Sequence, residues 1–549
     1  MASLQLRAAH FTFALLLLIT ISGAACSPTG STDDTEATST TSVTAVSLVA
    51  SAVVETPRPG DVDDPTEPVP TIPTNGSGSV PTVTPVPPAI PTATATVGPT
   101  STQIPNPTAT IVPDPTPASQ AVDLPDVDAH YQLDIAELDI VSGLVRASEI
   151  ITIREFRGLA PDWLYLQVVP AHDGFFTLDS SLVQGAPIQP EVLNAGFTLA
   201  FDLPVEPPVP FEIALDFTLN VGYEASGWAV TARDGEVLRL GNWFPIISND
   251  HGYSATLDPS YTASATYDVT AALDPSVLFA HTGEVVGEET LPDGRVRYAM
   301  RAENVRDFAL CLSAAYTFDS SVSASGVVIE AYTIGASEET RASLLTSAAD
   351  AIDQLSDLFG PYPYATFRMA DAGPSMPGGV EFPGMIYISD VYTPLPRLIY
   401  HEVAHQWLYG ILGTRTLLDG WIDEGGAEFF ERGLPTDFTE IPEVPEGGYL
   451  YPLDATYLEM TNDGTRTFYY SIYEQGARLF YDVLNTVGWD AFWSAMRDLY
   501  ATHQFGIMTA WDVLSSWQQV STTDLRPLFH DYFRYDWIDQ LPEPGFAGP

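Results

Sequence analysis

Positive charge is what this sequence most lacks. Its 549 residues include no lysine, and 21 arginines stand against 71 aspartates and glutamates, which gives a formal net charge of −50. A phosphate backbone would be repelled by such a chain, so nucleic-acid binding is excluded as its main role and no nucleic-acid partner is expected. Only two cysteines are present, Cys26 and Cys311. This excludes a disulfide framework and a cysteine-based zinc cluster, and Cys311, inside an apolar run, is expected to be a small buried hydrophobe.

Long apolar runs are also missing, apart from one near the start. Residues 11–21 follow a short basic start and precede small residues and Cys26. This order is typical of a secretory signal peptide, which we assign to residues 1–25. Cleavage at that point would leave Cys26 as the first residue, which resembles a bacterial lipoprotein with a lipidated terminal cysteine; the alternative is a plain signal with an incidental cysteine. The predicted location is therefore extracytoplasmic, on a prokaryotic cell surface through a lipid anchor or otherwise secreted, with no other membrane contact.

Large apolar side chains are scarce from residue 26 to residue 122. This stretch consists mostly of Pro, Thr, Ser, Val and Ala, as in PTVTPVPPAIPTATATVGPT at 81–100. It has little apolar surface with which to offset chain entropy, so we predict a disordered linker over 26–122. Its proline density favours extended conformations, which indicates a spacer between a lipid anchor and a folded region. Disorder without a role is the alternative.

Two regions with different hydrophobic periods follow the linker. From 123 to 335, apolar runs of strand length such as FEIALDFTLNV (211–221) are separated by Gly, Pro and Asp-Gly turns. This pattern predicts an all-β N-terminal domain. From 336 to 549 helical spacing dominates, with short strands predicted at 366–371 and 384–390, which indicates an α+β domain. Helices are predicted at 338–359, 396–411, 420–432, 467–487, 489–502, 509–518 and 523–533.

The motif His-Glu-x-x-His stands at residues 401–405, within a helical pattern. Residues four apart share one face of a helix, so His401 and His405 can bind one Zn²⁺ ion. Glu402 lies beside them, placed to take a proton from a metal-activated water. A pair of core histidines is the alternative interpretation of so short a motif.

A third ligand is available further along the chain. Glu424 follows His405 after 18 intervening residues, and a second helix packed on the first can bring its carboxylate to the metal. Three protein ligands with an open position are typical of catalytic rather than structural zinc sites. Glu428 lies one turn further on, as a rival ligand or as a partner that orients a histidine.

These motifs together resemble a known family. HEVAHQW, 18 residues and then DEGGAEF resemble the gluzincin metallopeptidases of the aminopeptidase N family. Four further stretches are similar to parts of that family: GGVEFPG (378–384), YEQGA (473–477), GNWFP (241–245) and VRDFA (305–309). The resemblance covers about residues 128 to 540. It implies a β domain in front of a thermolysin-like domain with one Zn²⁺ per chain, and hydrolysis of peptide substrates.

The resemblance also implies roles for single residues. His401, His405 and Glu424 would be zinc ligands, and Glu402 the general base. Tyr473 would donate a hydrogen bond to the oxyanion, a choice among three nearby tyrosines that rests on the family pattern alone. The substrate's free α-amine would be bound by the carboxylate of Glu381, while the backbone of the peptide would lie against Gly378 and Gly379.

Departures from the family pattern leave the cleavage position open. Val380 and Phe382 stand where the family has Met and Asn, Gln475 stands where it has Lys, and little sequence follows the predicted catalytic domain. The expected function is a zinc metallopeptidase of aminopeptidase type, with exo- or endopeptidase action undecided. The alternative is a non-catalytic or non-peptidase cell-surface protein that keeps the fold.

Overall fold

The computed structural model describes most of the chain from Asp123 onward. The described residues are 123–223, 230–250, 261–376, 378–389, 395–445, 448–455, 459–460 and 465–545. The signal peptide predicted at 1–25, the linker predicted at 26–122 and Cys26 lie outside them. Across the described residues, no helix combines the length and the apolarity needed to cross a bilayer.

The N-terminal half of the described chain is built from strands. Their residues alternate between core and solvent, as in Phe211–Asn220, where every second side chain is buried. The strands are β1 Val127–Asp139, β2 Leu144–Phe156, β3 Trp163–Gln167, β4 Phe176–Val183, β5 Ala186–Pro187, β6 Glu191–Leu193, β7 Thr198–Asp202, β8 Phe211–Asn220, β9 Thr231–Asp234, β10 Val237–Leu240, β11 Ile246–Ser248, β12 Ala265–Leu273, β13 Leu278–His281, β14 Glu284–Thr290, β15 Val296–Val305 and β16 Leu310–Ser313. The four-residue helix α1 Val169–His172 and a 3-10 turn at Asn194–Gly196 lie between them.

These strands form three sheets that share one apolar core. An eight-stranded sheet has the order β14-β15-β12-β1-β2-β8-β4-β5, and two four-stranded sheets have the orders β13-β16-β10-β9 and β11-β3-β7-β6. Buried side chains from all three meet in a core that contains Trp243 and Phe244 of the GNWFP stretch. Cys311 is fully buried in β16, as expected.

A fourth sheet begins before the predicted domain boundary at 335. Strands β17 Thr317–Val322 and β18 Val328–Thr333 do not join the sheets of the β region. Instead β18 pairs in parallel with β19 Thr366–Asp371, β19 with β21 Met385–Ile388, and β20 Gly379–Phe382 closes the edge antiparallel to β21. The five-stranded order is β17-β18-β19-β21-β20. The change of sheet therefore lies between Ser313 and Thr317, and the strand pattern at 317–333 gave no sign of it, since period alone does not identify a partner strand.

Helices make up most of the remainder and pack on the five-stranded sheet. They are α2 Glu338–Leu358, α3 Leu395–Ala404, α4 Thr416–Gly433, α5 Thr465–Tyr469, α6 Gln475–Val487, α7 Trp489–His503, α8 Ala510–Val520 and α9 Arg526–His530, with a π-helical turn at Tyr470–Glu474 and two short strands, β22 Gly413–Thr414 and β23 Ile507–Met508. Their apolar faces form one large core with the sheet.

The helix that carries the histidine motif is shorter than predicted. We expected it to extend to residue 411, but α3 ends at Ala404. Beyond this point the backbone amides of Gln406 and Trp407 each donate a hydrogen bond to the carbonyl three residues earlier, at 3.0 Å. Tyr409 has a φ of +125°. The helix cannot resume through Tyr409, because a non-glycine residue with positive φ cannot continue a right-handed helix.

Candidate metal centre and active site

The end of α3 brings the two motif histidines together. The amide of His405 still bonds to the carbonyl of His401, at 3.4 Å, so the one-turn relation survives although the regular helix stops one residue earlier. The two imidazole rings lie 4.9 Å apart, centre to centre. Both side chains are buried, which holds their rings in one orientation.

Helix α4 packs on α3 and places Glu424 opposite both rings. Its Oε2 atom lies 3.4 Å from Nε2 of His401 and 3.3 Å from Nε2 of His405. The three side chains each present a ligand atom within 4.8 Å of the others. The predicted ligand set therefore converges on one point.

Each histidine is held from behind by a carboxylate. Asp423 Oδ1 is hydrogen-bonded to Nδ1 of His405 at 2.7 Å, and Glu431 Oε2 lies 3.2 Å from Nδ1 of His401. Such contacts direct Nε2 toward a metal and raise its basicity. Neither residue is among the site residues predicted from the sequence. Glu431 stands two helical turns after Glu424 on the same face, a spacing that signals this role.

Glu428 has a different partner from the one proposed. Its carboxylate is paired with Arg432 at 2.5 Å, and the same guanidinium also bonds to Glu474 at 2.8 Å. Glu428 lies near His401 and Glu431, but of the two carboxylates Glu431 is the one at contact distance from the ring.

Glu402 lies in the helical turn that separates the two histidines, and its side chain points into the site. It is 3% exposed, and among the described residues its Oε2 atom has no hydrogen-bond partner. Burial raises the pKa of this carboxyl to about 7, against the lowering effect of the two histidines. A buried carboxylate with an unused acceptor can take a proton from a molecule bound beside it.

The edge strand β20 forms the opposite wall. Glu381 Oε1 lies 3.9 Å from Nδ1 of His405, and Gly378 and Gly379 precede it in the same wall. A Cβ atom on Gly379 would stand 2.4 Å from Oε1 of Glu402. Only glycine allows the strand to approach the base so closely.

Tyr473 lies within the π-helical turn, a rare element that often marks functional sites. Its hydroxyl donates a hydrogen bond to Oε1 of Glu424 at 2.5 Å, and its ring stacks on His401. Of the three tyrosines considered from the sequence, Tyr469 also lines the cavity and stacks on Tyr473, whereas Tyr470 lies outside the lining. The structure thus brings Tyr473 into the site.

Two glycines set the position of Tyr473. Helices α4 and α6 cross where Gly425 meets Gly476, and a Cβ on either would lie within 2.8 Å of the Cα of the other. Gly425 directly follows Glu424, and Gly476 is three residues after Tyr473. The close crossing therefore joins the ligand carboxylate to the hydroxyl.

These residues line a cavity of about 260 Å³ with an acidic wall. The lining is Gly378, Gly379, Val380, Glu381, Leu398, His401, Glu402, His405, Glu424, Glu428, Glu431, Tyr469 and Tyr473. Burial lowers the pKa of His401, but Glu424 and Glu431 outweigh it and raise that pKa to about 10. Burial also opposes ionisation of Glu424, yet both histidines hold its pKa well below the usual range. Such a site favours a cation.

The donor set fits zinc. Two imidazoles and one carboxylate are ligand types that Zn²⁺ accepts, and three protein ligands leave a position for a reacting molecule. The buried carboxylates behind both rings complete the usual support of such a site. His401, His405 and Glu424 would hold the ion.

The departures from the family pattern lie mostly away from the cavity. The ring of Phe382 packs against Tyr387 and fills the space above Gly241, where a Cβ would be 2.4 Å from it. Gln475 is buried in α6 and is not part of the lining. Only Val380 contributes to the cavity wall.

Several solved zinc metallopeptidases share this architecture. An M1 zinc metallopeptidase from Deinococcus radiodurans matches with a TM-score of 0.56 at 18% identity, over 78% of this chain and 97% of its own. The chain has the M1 metallopeptidase fold. A Glu-to-Ala variant of that Deinococcus enzyme matches with a TM-score of 0.55 at 16% identity, over 78% and 98%. A two-domain M1 zinc metallopeptidase variant bound to L-tryptophan matches with 0.54 at 16% identity, over 78% and 98%. No family model matches the sequence.

At the level of the fold these matches confirm the predicted similarity to the aminopeptidase N family, whose members are M1 peptidases. The M1 fold also accounts for a strand-rich region in front of a helix-rich one. Identity this low shows the fold alone, and activity depends on the residues of the site.

Proposed function

We propose that the chain is a zinc-dependent metallopeptidase that hydrolyses peptide bonds, with one zinc ion per chain. The convergence of His401, His405 and Glu424 beside the buried carboxylate of Glu402 carries the proposal. Ligands, base and cavity occur together, which is what hydrolysis by an activated water requires. The shared M1 fold supports it.

The residues divide the chemistry between them. When bound, zinc supplies Lewis-acid activation of water and of the substrate carbonyl. Glu402 takes the proton of the attacking water and passes it to the leaving amine. Tyr473 turns its hydroxyl from Glu424 to the oxygen of the attacked carbonyl and stabilises the charge that develops there.

We propose further that the substrate is a peptide with a free amino terminus. Glu381 stands beside the metal centre in an acidic cavity, which suits an ammonium group. Pairing the two charges in a buried place fixes the register, so that the first peptide bond reaches the base. Glycine at 378 and 379 puts no side chain on this edge of β20. A Cβ at Gly378 would meet nothing nearer than 4.0 Å, which leaves space for a substrate backbone.

The proposed place of action is outside the cytoplasm. The signal at 1–25, lipidation at Cys26 and a spacer over 26–122 would hold the catalytic region at a distance from a membrane surface. Metabolic labelling of the full chain with a tagged fatty acid, with Cys26→Ser as control, tests this; equal labelling of both chains would contradict it.

One experiment tests the hydrolytic proposal. The purified full chain is analysed for zinc and incubated with a peptide library, with products read by mass spectrometry. We expect one zinc per chain, and Glu402→Gln should keep the metal while turnover falls by ~10²–10⁴-fold or more. Glu424→Ala should lose the metal, which separates a ligand from a base.

A matched control is available in the β region. Glu149 is as buried as Glu402 but belongs to β2, so Glu149→Gln makes the same chemical change away from the site. It should leave turnover unchanged. A chain without stoichiometric zinc, or a Glu402→Gln variant with a normal rate, would refute the proposal.

The amine specificity has its own test. A peptide with a free amino terminus and its N-acetylated form are compared on the wild type and on Glu381→Ala. We expect the wild type to prefer the free amine and the variant to lose that preference, because an unpaired charge in this cavity is expensive. Equal cleavage of both peptides by the wild type would show that the amine is not read.

A further inference from the structure

The residue that follows the histidine motif has no part in metal binding or proton transfer, yet it is completely buried. Gln406 is 0% exposed and lies just beyond the end of α3. Its side-chain amide makes three hydrogen bonds. Nε2 donates to the carbonyl of Phe382 at 3.0 Å, and Oε1 accepts from the amide of Gly384 at 2.8 Å and from the hydroxyl of Tyr362 at 3.1 Å.

Two of these bonds, to the carbonyl of Phe382 and the amide of Gly384, hold the turn between β20 and β21. Phe382 ends β20, Met385 begins β21, and the two residues are paired across the hairpin. Gly384 has a φ of +76°, which a proline–glycine turn requires of its second residue. One amide thus holds both sides of the turn, and because Oε1 faces two donors its orientation is fixed.

This turn directly follows the strand that carries Glu381. Glu381 precedes Phe382 in β20. Among the described strands, β20 is the edge of the five-stranded sheet and is bonded to β21 on one side only. An edge strand has less support than an inner one. On the side of the cavity, Gly379 lies directly against Glu402, and Gln406 fastens the strand at the other end. Glu381 stands between these two attachments.

We propose that Gln406 is a positioning residue for substrate recognition: it sets the distance between the carboxylate of Glu381 and the metal centre. The inference rests on the proposed function. Since Gln406 is the neighbour of His405 in the chain, the same backbone segment carries a metal ligand and fixes the substrate strand. The distance from the amine-binding carboxylate to the reacting bond is thereby fixed by this contact in addition to the pairing of β20 with β21.

The variant Gln406→Met keeps the length of the side chain and removes all three bonds. Tyr362→Phe removes one bond only and leaves the turn held, so it serves as a milder second variant. Gln518→Met is the matched control. Gln518 is also 0% exposed, donates to Asp524 at 3.1 Å, accepts from the amide of Leu525 at 2.9 Å, and does not line the described cavity.

The readout compares a peptide with a free amino terminus and its N-acetylated form on zinc-loaded full chains. We expect Gln406→Met to keep its zinc and to lower kcat/KM for the free-amine peptide about 10- to 100-fold, with little effect on the acetylated one. Tyr362→Phe should show a smaller change of the same kind. Gln518→Met should lower thermal stability without changing the ratio. In a Glu381→Ala background, Gln406→Met should have no additional effect on the free-amine peptide.

Binding of L-tryptophan against N-acetyl-L-tryptophan, measured by calorimetry, repeats the comparison without turnover. Loss of the preference for the free amine in Gln406→Met supports the inference even if no peptide is cleaved, in which case only the hydrolytic proposal fails. An unchanged ratio in Gln406→Met, loss of its zinc, or an equal effect of Gln518→Met overturns the inference. A wild type that cleaves and binds both forms equally overturns it too, while peptide hydrolysis stands.

Discussion

The crossing of α4 and α6 at two glycines offers the sharpest test of the site's geometry. In Gly425→Ala, the new Cβ would stand 2.7 Å from the Cα of Gly476 and 2.9 Å from the carbonyl oxygen of Ile472. Ordinary contacts begin near 3.4 Å, so the helices must separate by about 0.7 Å. Both obstacles are backbone atoms, which cannot rotate away.

The separation acts directly on the site. Glu424 precedes Gly425, and its carboxylate receives the 2.5 Å hydrogen bond from Tyr473 on the opposing segment. A misplacement of ~1 Å can lower a rate by ~10²-fold, so we expect turnover to fall about 10- to 100-fold. Overpacking costs ~1–3 kcal/mol, while replacing glycine by alanine within a helix gains ~1 kcal/mol. The free energy of unfolding should therefore fall by no more than about 2 kcal/mol.

The assay is peptide turnover together with chemical denaturation of each zinc-loaded variant. Gly476→Ala should reproduce the effect from the other helix. Gly420→Ala is the matched control, because its Cβ would meet Ile472 at an ordinary 3.7 Å on the same helix α4. It should keep full activity. If the turnover of Gly425→Ala is within about threefold of the wild-type value, the close crossing does not position Tyr473 and the prediction is wrong.

Three further predictions follow from single contacts. Tyr473→Phe should lower kcat by ~10²–10³-fold with KM nearly unchanged, since its hydroxyl acts on charge that develops only during reaction; a purely elevated KM would contradict this. Asp423→Ala should weaken zinc binding ~10–100-fold in a chelator competition, because His405 loses its 2.7 Å partner, and unchanged affinity would remove Asp423 from the site. Glu149 is fully buried, neither of its oxygens has a hydrogen-bond partner among the residues that the structure describes, and burial raises its pKa well above the ordinary value. The folded chain therefore keeps a proton that the unfolded chain has lost, and between the ordinary and the raised pKa each pH unit lowers the free energy of unfolding by ~1.4 kcal/mol. Glu149→Met should be more stable than the wild type, by a margin that grows from pH 5 to pH 8 in denaturant titrations; a constant margin would show that Glu149 is ionised in the fold.

Local patterns in the sequence determined much of this protein. The period of apolar residues located the β region and helix α2, because an element must place its apolar side chains on one face whatever it packs against. The histidine motif gave the two imidazoles and the base, since a helix fixes residues four apart at the same face. The spacing to Glu424 and the resemblance of DEGGAEF and YEQGA to a family pointed to the remaining site residues.

Tertiary structure alone decided which partners those elements find. The residue pattern at 317–333 is the same as in the preceding strands, but these strands belong to the five-stranded sheet beside the candidate site. Strand pairing depends on long-range contacts that the period of apolar residues does not encode. The contacts of Asp423, Glu431 and Gln406 likewise depend on how α3 meets α4 and β20. A carboxylate or an amide acquires its role from the atoms that burial places within hydrogen-bond distance of it. For that reason the sequence predicted the candidate ligands and base, and only the packed chain showed what holds those side chains in place.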